Sequence, residues 1–218
     1  MARILKEEKH ANGSLKYRDT LLDDQVGKQV ILMEAWYPSE ADPKDPWQAK
    51  DSAQQRGGQQ WYKDNFINGQ LHGIQESWHD NGQQQNKGNF VNGQRHGLHE
   101  GWYDDGQREY KENYVNGQRH GIQEGWYPSG ADPEDSSARE RGGQLEHKWN
   151  YVNGQLHGIQ ESWCYDNQQE YKEYHLDGVE VSQETYQAYI QGLASQIQEA
   201  LDLEEPNLSK IIAGYLLP

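Results

Sequence analysis

Residues 65–88 read NFINGQLHGIQESWHDNGQQQNKG, and residues 89–112 read NFVNGQRHGLHEGWYDDGQREYKE. The phrase restarts at Asn113 and again at Asn150, where residues 150–173 read NYVNGQLHGIQESWCYDNQQEYKE. Three of these four copies have a 24-residue period, and the copy from Asn113 to Trp149 is longer. Self-similarity at such a period marks stacked supersecondary units rather than one deep core. A fifth, diverged copy lies upstream, where Gly27 and LMEAWYPS from Leu32 match IQEGWYPS from Ile122. HANGSLKY from His10 reads as half a unit.

Each unit carries two turn signals. Asn-Gly recurs at 68–69, 92–93, 116–117 and 153–154. This pair suits a two-residue hairpin turn, because both central residues of a type I′ turn need positive φ. Gly69, Gly93, Gly117 and Gly154 are therefore the expected turn glycines. The second signal is Asn81-Gly82, Asp105-Gly106 and, more weakly, Ser129-Gly130. Two turns per unit leave two strands of about eight to ten residues, a normal strand length. The expected fold is all-β, an elongated antiparallel hairpin meander over residues 1–181. Residues 182–218 are expected to form a helical cap.

Strand alternation assigns the faces. Between Gln94 and Tyr103, one face receives His96, Leu98, Glu100 and Trp102, and the other Arg95, Gly97, His99, Gly101 and Tyr103. The first face repeats as Ile74, Leu98, Ile122 and Ile159 with Trp36, Trp78, Trp102, Trp126 and Trp163. This aliphatic–Trp ladder is the expected core. Glycine on the opposite face allows a neighbouring group to approach closely.

The phrase Tyr/Phe-x-Asn-Gly-Gln-x-His-Gly-Ile/Leu-x-Glu-x-Trp resembles MORN repeats, in the variant also seen in a bacterial family of antitoxin-like proteins. It covers roughly residues 10–178. The helical tail and the PSGADPED and QEGWY wording also look like repeat proteins of large DNA viruses. The resemblance implies an elongated β-meander used for protein contacts and, in some members, for lipids.

Composition agrees with an array. Only 33% of residues are hydrophobic and mean hydropathy is −1.18, yet the 218 residues include 8 Trp, 14 Tyr and 23 Gly. Aromatics spaced by glycine suit a thin sheet whose small core is refilled at every unit. The net charge of −15 repels phosphate backbones and anionic lipid surfaces, so nucleic acid is excluded as a partner and membrane binding is disfavoured. A protein partner remains, basic by complementarity, with a homodimer as the alternative. Cys164 is the single cysteine, so no intramolecular disulfide can form. Without a signal-like apolar run, the expectation is a soluble intracellular protein, in host cytoplasm or virion if viral.

Two copies carry insertions at the same place, 38–64 and 128–149, sharing PS-x-ADP-x-D and RGGQ. Insertions in a solenoid collect on one edge, often the binding edge. Asp42, Asp45, Asp132 and Asp135 are the candidate partner-binding residues there. From Ser182 the apolar period changes to that of a helix, through Tyr186, Tyr189, Ile190, Leu193, Ile197 and Leu201, with Ser182 as N-cap. A second helix is expected after Pro206, with Ile211 and Leu216 on its apolar side. Such a cap would protect the final strand edge. EPNLSKIIAGYLL also resembles part of an F-box helix, with Glu205-Pro206 where Leu-Pro usually stands.

No constellation carries chemistry. His72, His96, His120 and His157 recur with Glu76, Glu100, Glu124 and Glu161 four residues on. Equivalent histidines lie about 9–10 Å apart at ~4.8 Å per strand. Zinc needs ligand atoms at ~2.0–2.1 Å, so two of them cannot share an ion. The expectation is a structural role, with no catalytic, cofactor or metal site and no cofactor. The leading function is a non-enzymatic protein-binding scaffold. The alternatives are an adaptor whose tail recruits a host ubiquitin ligase, or an antitoxin or immunity-like binder.

Overall fold

The computed structural model describes residues 3–9, 15–23, 29–36, 59–129, 143–164 and 168–201. The upstream strands are β1 (Arg3–Lys9), β2 (Leu15–Asp23) and β3 (Gln29–Trp36). The central units comprise β4 (Gln60–Ile67), β5 (Gln70–Leu71), β6 (Gly73–Trp78), β7 (Gln84–Val91), β8 (Gln94–Trp102) and β9 (Arg108–Val115). After them come β10 (Gln118–Arg119), β11 (Gly121–Trp126), β12 (Leu145–Val152), β13 (Gln155–Leu156), β14 (Gly158–Trp163), β15 (Gln169–Leu176) and β16 (Val179–Val181). All belong to one open antiparallel sheet in which the long strands follow chain order, and β5, β10 and β13 extend the hairpins of β4, β9 and β12. The strands resume at Gln60 and Leu145, so the insertions end earlier than the boundaries at 64 and 149 set by sequence.

The two edges use different turns for a local reason. At one edge both central residues have positive φ, as at Asn92 (50°) and Gly93 (79°), and the fifth such turn is Asp177-Gly178. At the other edge only the glycine does, at Gly82 and Gly106. There His79 N donates to Gln83 O at 2.8 Å and Gly82 N to His79 O at 3.0 Å, and the register slips between Ser77 and Trp78. In the long copy Gly143 takes this place, with Tyr127 N donating to Gln144 O at 3.0 Å. The second signal of that unit is therefore the glycine of RGGQ; Gly130 lies outside the described residues.

Each His-Gly step interrupts the ladder. Gly73, Gly97, Gly121 and Gly158 all have positive φ, and β4 pairs with β5 and β6 in two registers on either side of the step. The strand opposite would lose its partners there, and an unpaired buried backbone group costs about 1–3 kcal/mol. A glutamine side chain fills the gap. Gln75 Oε1 accepts from Asn65 N at 2.7 Å, and Gln75 Nε2 donates to Asn65 O at 3.0 Å. Gln123 does the same for Asn113 at 3.2 and 3.0 Å, and Gln160 for Asn150 at 2.9 and 3.1 Å. A primary amide has the donor and acceptor of a peptide group, so it replaces one in the ladder.

These clamps decide which face is buried, and the result reverses the sequence reading. Gln123 and Gln160 are each 2% exposed, while Ile74 and Leu98 of the expected core are 41% and 42% exposed. Ile122, Ile159 and the five Trp of that face are half-buried. The cause is lateral packing within a single layer. On the clamp face, large side chains lie over small neighbours: a Cβ at Gly101 would sit 2.2 Å from the Tyr110 ring, and one at Gly125 2.2 Å from His147. The indole face has no small residues for its Ile and Trp to lie across, so it stays open.

At the C-terminal end Tyr174 occupies the position held by Asn65, Asn89, Asn113 and Asn150 in earlier units. It packs against Tyr186 of α1 (Gln183–Leu201), with ring centroids 5.3 Å apart. Ser182 Oγ accepts from Thr185 N at 3.2 Å, capping the helix. Tyr186 is buried, whereas Ile190, Leu193 and Ile197 are half-buried. Ile211 and Leu216 lie outside the described residues.

Replacing Gln123 by Leu keeps the volume but strips both clamp bonds from Asn113. Urea unfolding should show a loss of about 2–3 kcal/mol, against little change for Gln94→Leu at an exposed turn-proximal position. Equal stability of the two variants would remove the clamp as a source of stability.

Candidate binding surface

The indole face is organised in three rows across the strands. The middle row alternates charge strictly, one residue per strand: Glu7, Arg18, Glu34, Lys63, Glu76, Lys87, Glu100, Lys111, Glu124, Lys148, Glu161 and Lys172. Each carboxylate after Glu7, which lies on the edge strand, stands directly opposite cations on both sides. Contacts include Lys87–Glu76 at 3.3 Å and Lys172–Glu161 at 3.0 Å, and Arg108, one row over, also reaches Glu100 at 2.9 Å. Glu76, Glu100, Glu124 and Glu161 thus belong to a cross-strand ion ladder. Their cationic partners lie on neighbouring strands, distant in sequence.

On one side of this row run Ile74, Leu98, Ile122 and Ile159, separated by Asn89, Asn113 and Asn150. On the other side run Trp36, Trp78, Trp102, Trp126 and Trp163 at repeat spacing, about 9–10 Å. Arg108 lies over the Trp126 ring at 5.6 Å and Arg18 over Trp36 at 5.9 Å. The array therefore presents aliphatic and indole rows flanking a charge-neutral ladder.

The repeated histidines join units rather than assembling a site. His72 Nδ1 accepts from Asn92 N at 3.4 Å, and His96, His120 and His157 do the same for Asn116, Asn153 and Asp177. Alongside, Gly93 N donates to Leu71 O and Gly117 N to Arg95 O, each at 2.8 Å. At the opposite edge, the residue after Trp78, Trp102 and Trp126 reaches the next unit. Tyr103 OH donates to Trp126 O at 2.8 Å and Tyr127 OH to Trp163 O at 3.0 Å, while His79 Nε2 bonds Trp102 O at 2.7 Å. Burial pushes the Tyr103 phenol up to about 12, so it remains a donor. Cys164 ends this column, in the last unit that has a Trp. Among the described residues no group of three metal-binding side chains is assembled.

The turn glycines Gly69, Gly93, Gly117 and Gly154 stand exposed along one edge. Asp42, Asp45, Asp132 and Asp135 lie outside the described residues. The strands flanking the two insertions open on the opposite edge from these turns, both on the same side and six strands apart. That is about 29 Å at ~4.8 Å per strand.

Residues 71–92 and 95–116 both match the family model described as MORN repeat variant. These two segments are MORN repeats. Each matched segment spans a complete strand-turn-strand unit with its His-Gly step, and the same geometry recurs in β11–β12 and β14–β15. No curated protein matches the chain. MORN repeats are in general protein- or membrane-binding motifs, and the family is non-catalytic. No helix among the described residues is long and apolar enough to cross a membrane.

One MORN unit departs from the clamp rule. His99 stands where the other three His-Gly units have Gln, and its Nε2–H donates to Asn89 O at 2.8 Å. Its ring lies over Gly88, where a Cβ would be 2.1 Å from Nδ1. Burial pushes the His99 pKa below 6.5, aided by Arg95 and opposed by the Asn89 bond and Glu112. The folded state thus binds this proton less readily than the unfolded chain does. Stability should be full above about pH 6.5, the unfolded value, and fall as pH drops from there toward the lowered folded value. His99→Gln should keep the clamp and flatten that acid limb in denaturant melts between pH 7 and pH 5. An unchanged limb would assign the acid sensitivity to other groups.

The ion ladder makes a second prediction. Glu100→Lys sets like charges opposite Lys87 and Lys111 and should cost on the order of 1 kcal/mol. Adding Lys111→Glu should recover part of it in a double-mutant cycle; strict additivity would mean the row contributes nothing.

Proposed function

We propose that this MORN array is a non-enzymatic scaffold whose indole face docks a basic protein. The observation that carries this reading is the exposure of Ile74 and Leu98 at 41% and 42%, in register along an open face. Exposed aliphatic and half-buried indole rows give a partner apolar anchors, and Trp is enriched among the residues that dominate interface energetics. The ion ladder between them supplies paired charge that fixes register. The chain's net charge of −15 selects a partner of opposite sign and opposes anionic lipid. Asp42, Asp45, Asp132 and Asp135 are proposed as a second, acidic contact from the two insertions. In the ligase-adaptor reading the tail would hold a further subunit, and in the antitoxin-like reading the docked protein would be a toxin.

Affinity capture from the native cell tests this, with wild type and Ile74→Ser/Leu98→Ser as baits. A basic protein retained by wild type, lost from the double variant and released by raised salt is the expected result. A partner set indifferent to both substitutions would overturn the docking face.

A further inference from the structure

The clamp face also carries arginines, and the rule they follow breaks in the last unit. Arg95 lies 5.1 Å over the Tyr114 ring and reaches Glu112 at 3.4 Å. Arg119 reaches the same carboxylate at 2.9 Å and lies 5.6 Å over the Tyr151 ring. Glu112 is thereby held between two guanidiniums that rest on aromatic rings. The residue corresponding to Glu112 in the final unit is Glu173, with the same seventeen-residue offset from Leu156 as Glu112 has from Arg95. Leu156 thus stands in the place of Arg95. The place of Arg119 is taken by Glu180, which pairs with His175 across β15 and β16. Both cations are gone, and the Glu173 carboxylate has no hydrogen bond or ion pair among the described residues.

Around the carboxylate, Tyr171 and Tyr151 stand in the places of Tyr110 and Phe90, His175 replaces the Tyr114 whose hydroxyl donates to Glu112 at 2.8 Å, and Trp149 is added. Trp149, Tyr151, Leu156, Gln160, Tyr171 and Glu173 line a depression of about 150 Å³. Trp149 replaces the Gly88 of the corresponding earlier position, and its Nε1–H donates to Tyr171 OH at 3.1 Å, which fixes the two rings against each other. Gln160, 2% exposed, is locked by its bonds to Asn150. A half-buried carboxylate within three aromatic rings, with no cation in the lining, is suited to a planar cation that stacks on a ring and forms charged hydrogen bonds.

We propose that this depression is a subsite for an arginine side chain supplied by a protein or peptide, with Glu173 as its counter-ion. The incoming guanidinium does for Glu173 what Arg95 does for Glu112. The inference does not depend on docking at the indole face, since the two sites lie on opposite faces of the sheet.

The test uses Nα-acetyl-arginine amide as probe and its neutral isostere, Nα-acetyl-citrulline amide, as control. The readout is the indole N–H resonance of Trp149 in the full chain, assigned by its loss in Trp149→Phe. The arginine probe should shift this resonance saturably, the citrulline probe should not, and Glu173→Gln should weaken binding by about fivefold or more. Leu156→Arg should leave the fold intact and abolish probe binding, because it restores the internal pair seen around Glu112. Equal shifts with both probes, or an affinity unchanged in Glu173→Gln or Leu156→Arg, would overturn the proposal. Persistence of indole-face partner capture in Leu156→Arg would leave the scaffold reading standing by itself.

Discussion

The whole array depends on how it crosses the His-Gly step. A sheet built only of hairpins is held by its backbone ladder, and this chain breaks that ladder once in each unit that carries a His-Gly step. The primary amide of Gln75, Gln123 or Gln160 then serves as a substitute peptide group for the asparagine opposite. Because that amide must reach the backbone, the glutamine is drawn against the sheet and buried. Everything on its face is arranged around it: small residues under large rings, and a glycine under the bulkier His99.

Single-layer architecture explains the polarity of the result. Two-layer proteins bury aliphatic faces against each other, but among the described residues no second layer covers either face over most of the sheet. Burial comes only from side chains lying across their own neighbours, so it falls to the face that alternates large and small residues. The indole face lacks that alternation and keeps its apolar rows open. Its stability role is carried instead by cross-strand ion pairing, which tolerates water, and its apolar rows remain for contact. The same lateral logic links the units at both edges through histidine, tyrosine and turn backbone groups.

Periodicity also separates structure from specificity. Residues that recur in every unit are accounted for by turns, clamps and ladder. The clamp-face positions that vary, Arg95 and Arg119 against Leu156, or Gly88 against Trp149, change the charge and shape of the surface without altering the backbone. Tyr174 is another such departure, and it turns an asparagine position into the seat for Tyr186.

The sequence by itself determined the meander, the hairpin edges and the place where the helix starts. Those follow from local φ requirements at Asn-Gly, from alternation and from period, all encoded within a few residues. It could not decide which face is buried, because period-two alternation is symmetric with respect to the sheet normal. Hydrophobicity chose Ile74 and Leu98, and the structure chose Gln123 and Gln160. Nor could it show the charge row, whose members sit on neighbouring strands and become adjacent only in register. The vacant cation place at Glu173 is of the same kind: it exists because Leu156, Trp149 and Tyr171 converge across three strands, and only pairing brings them together.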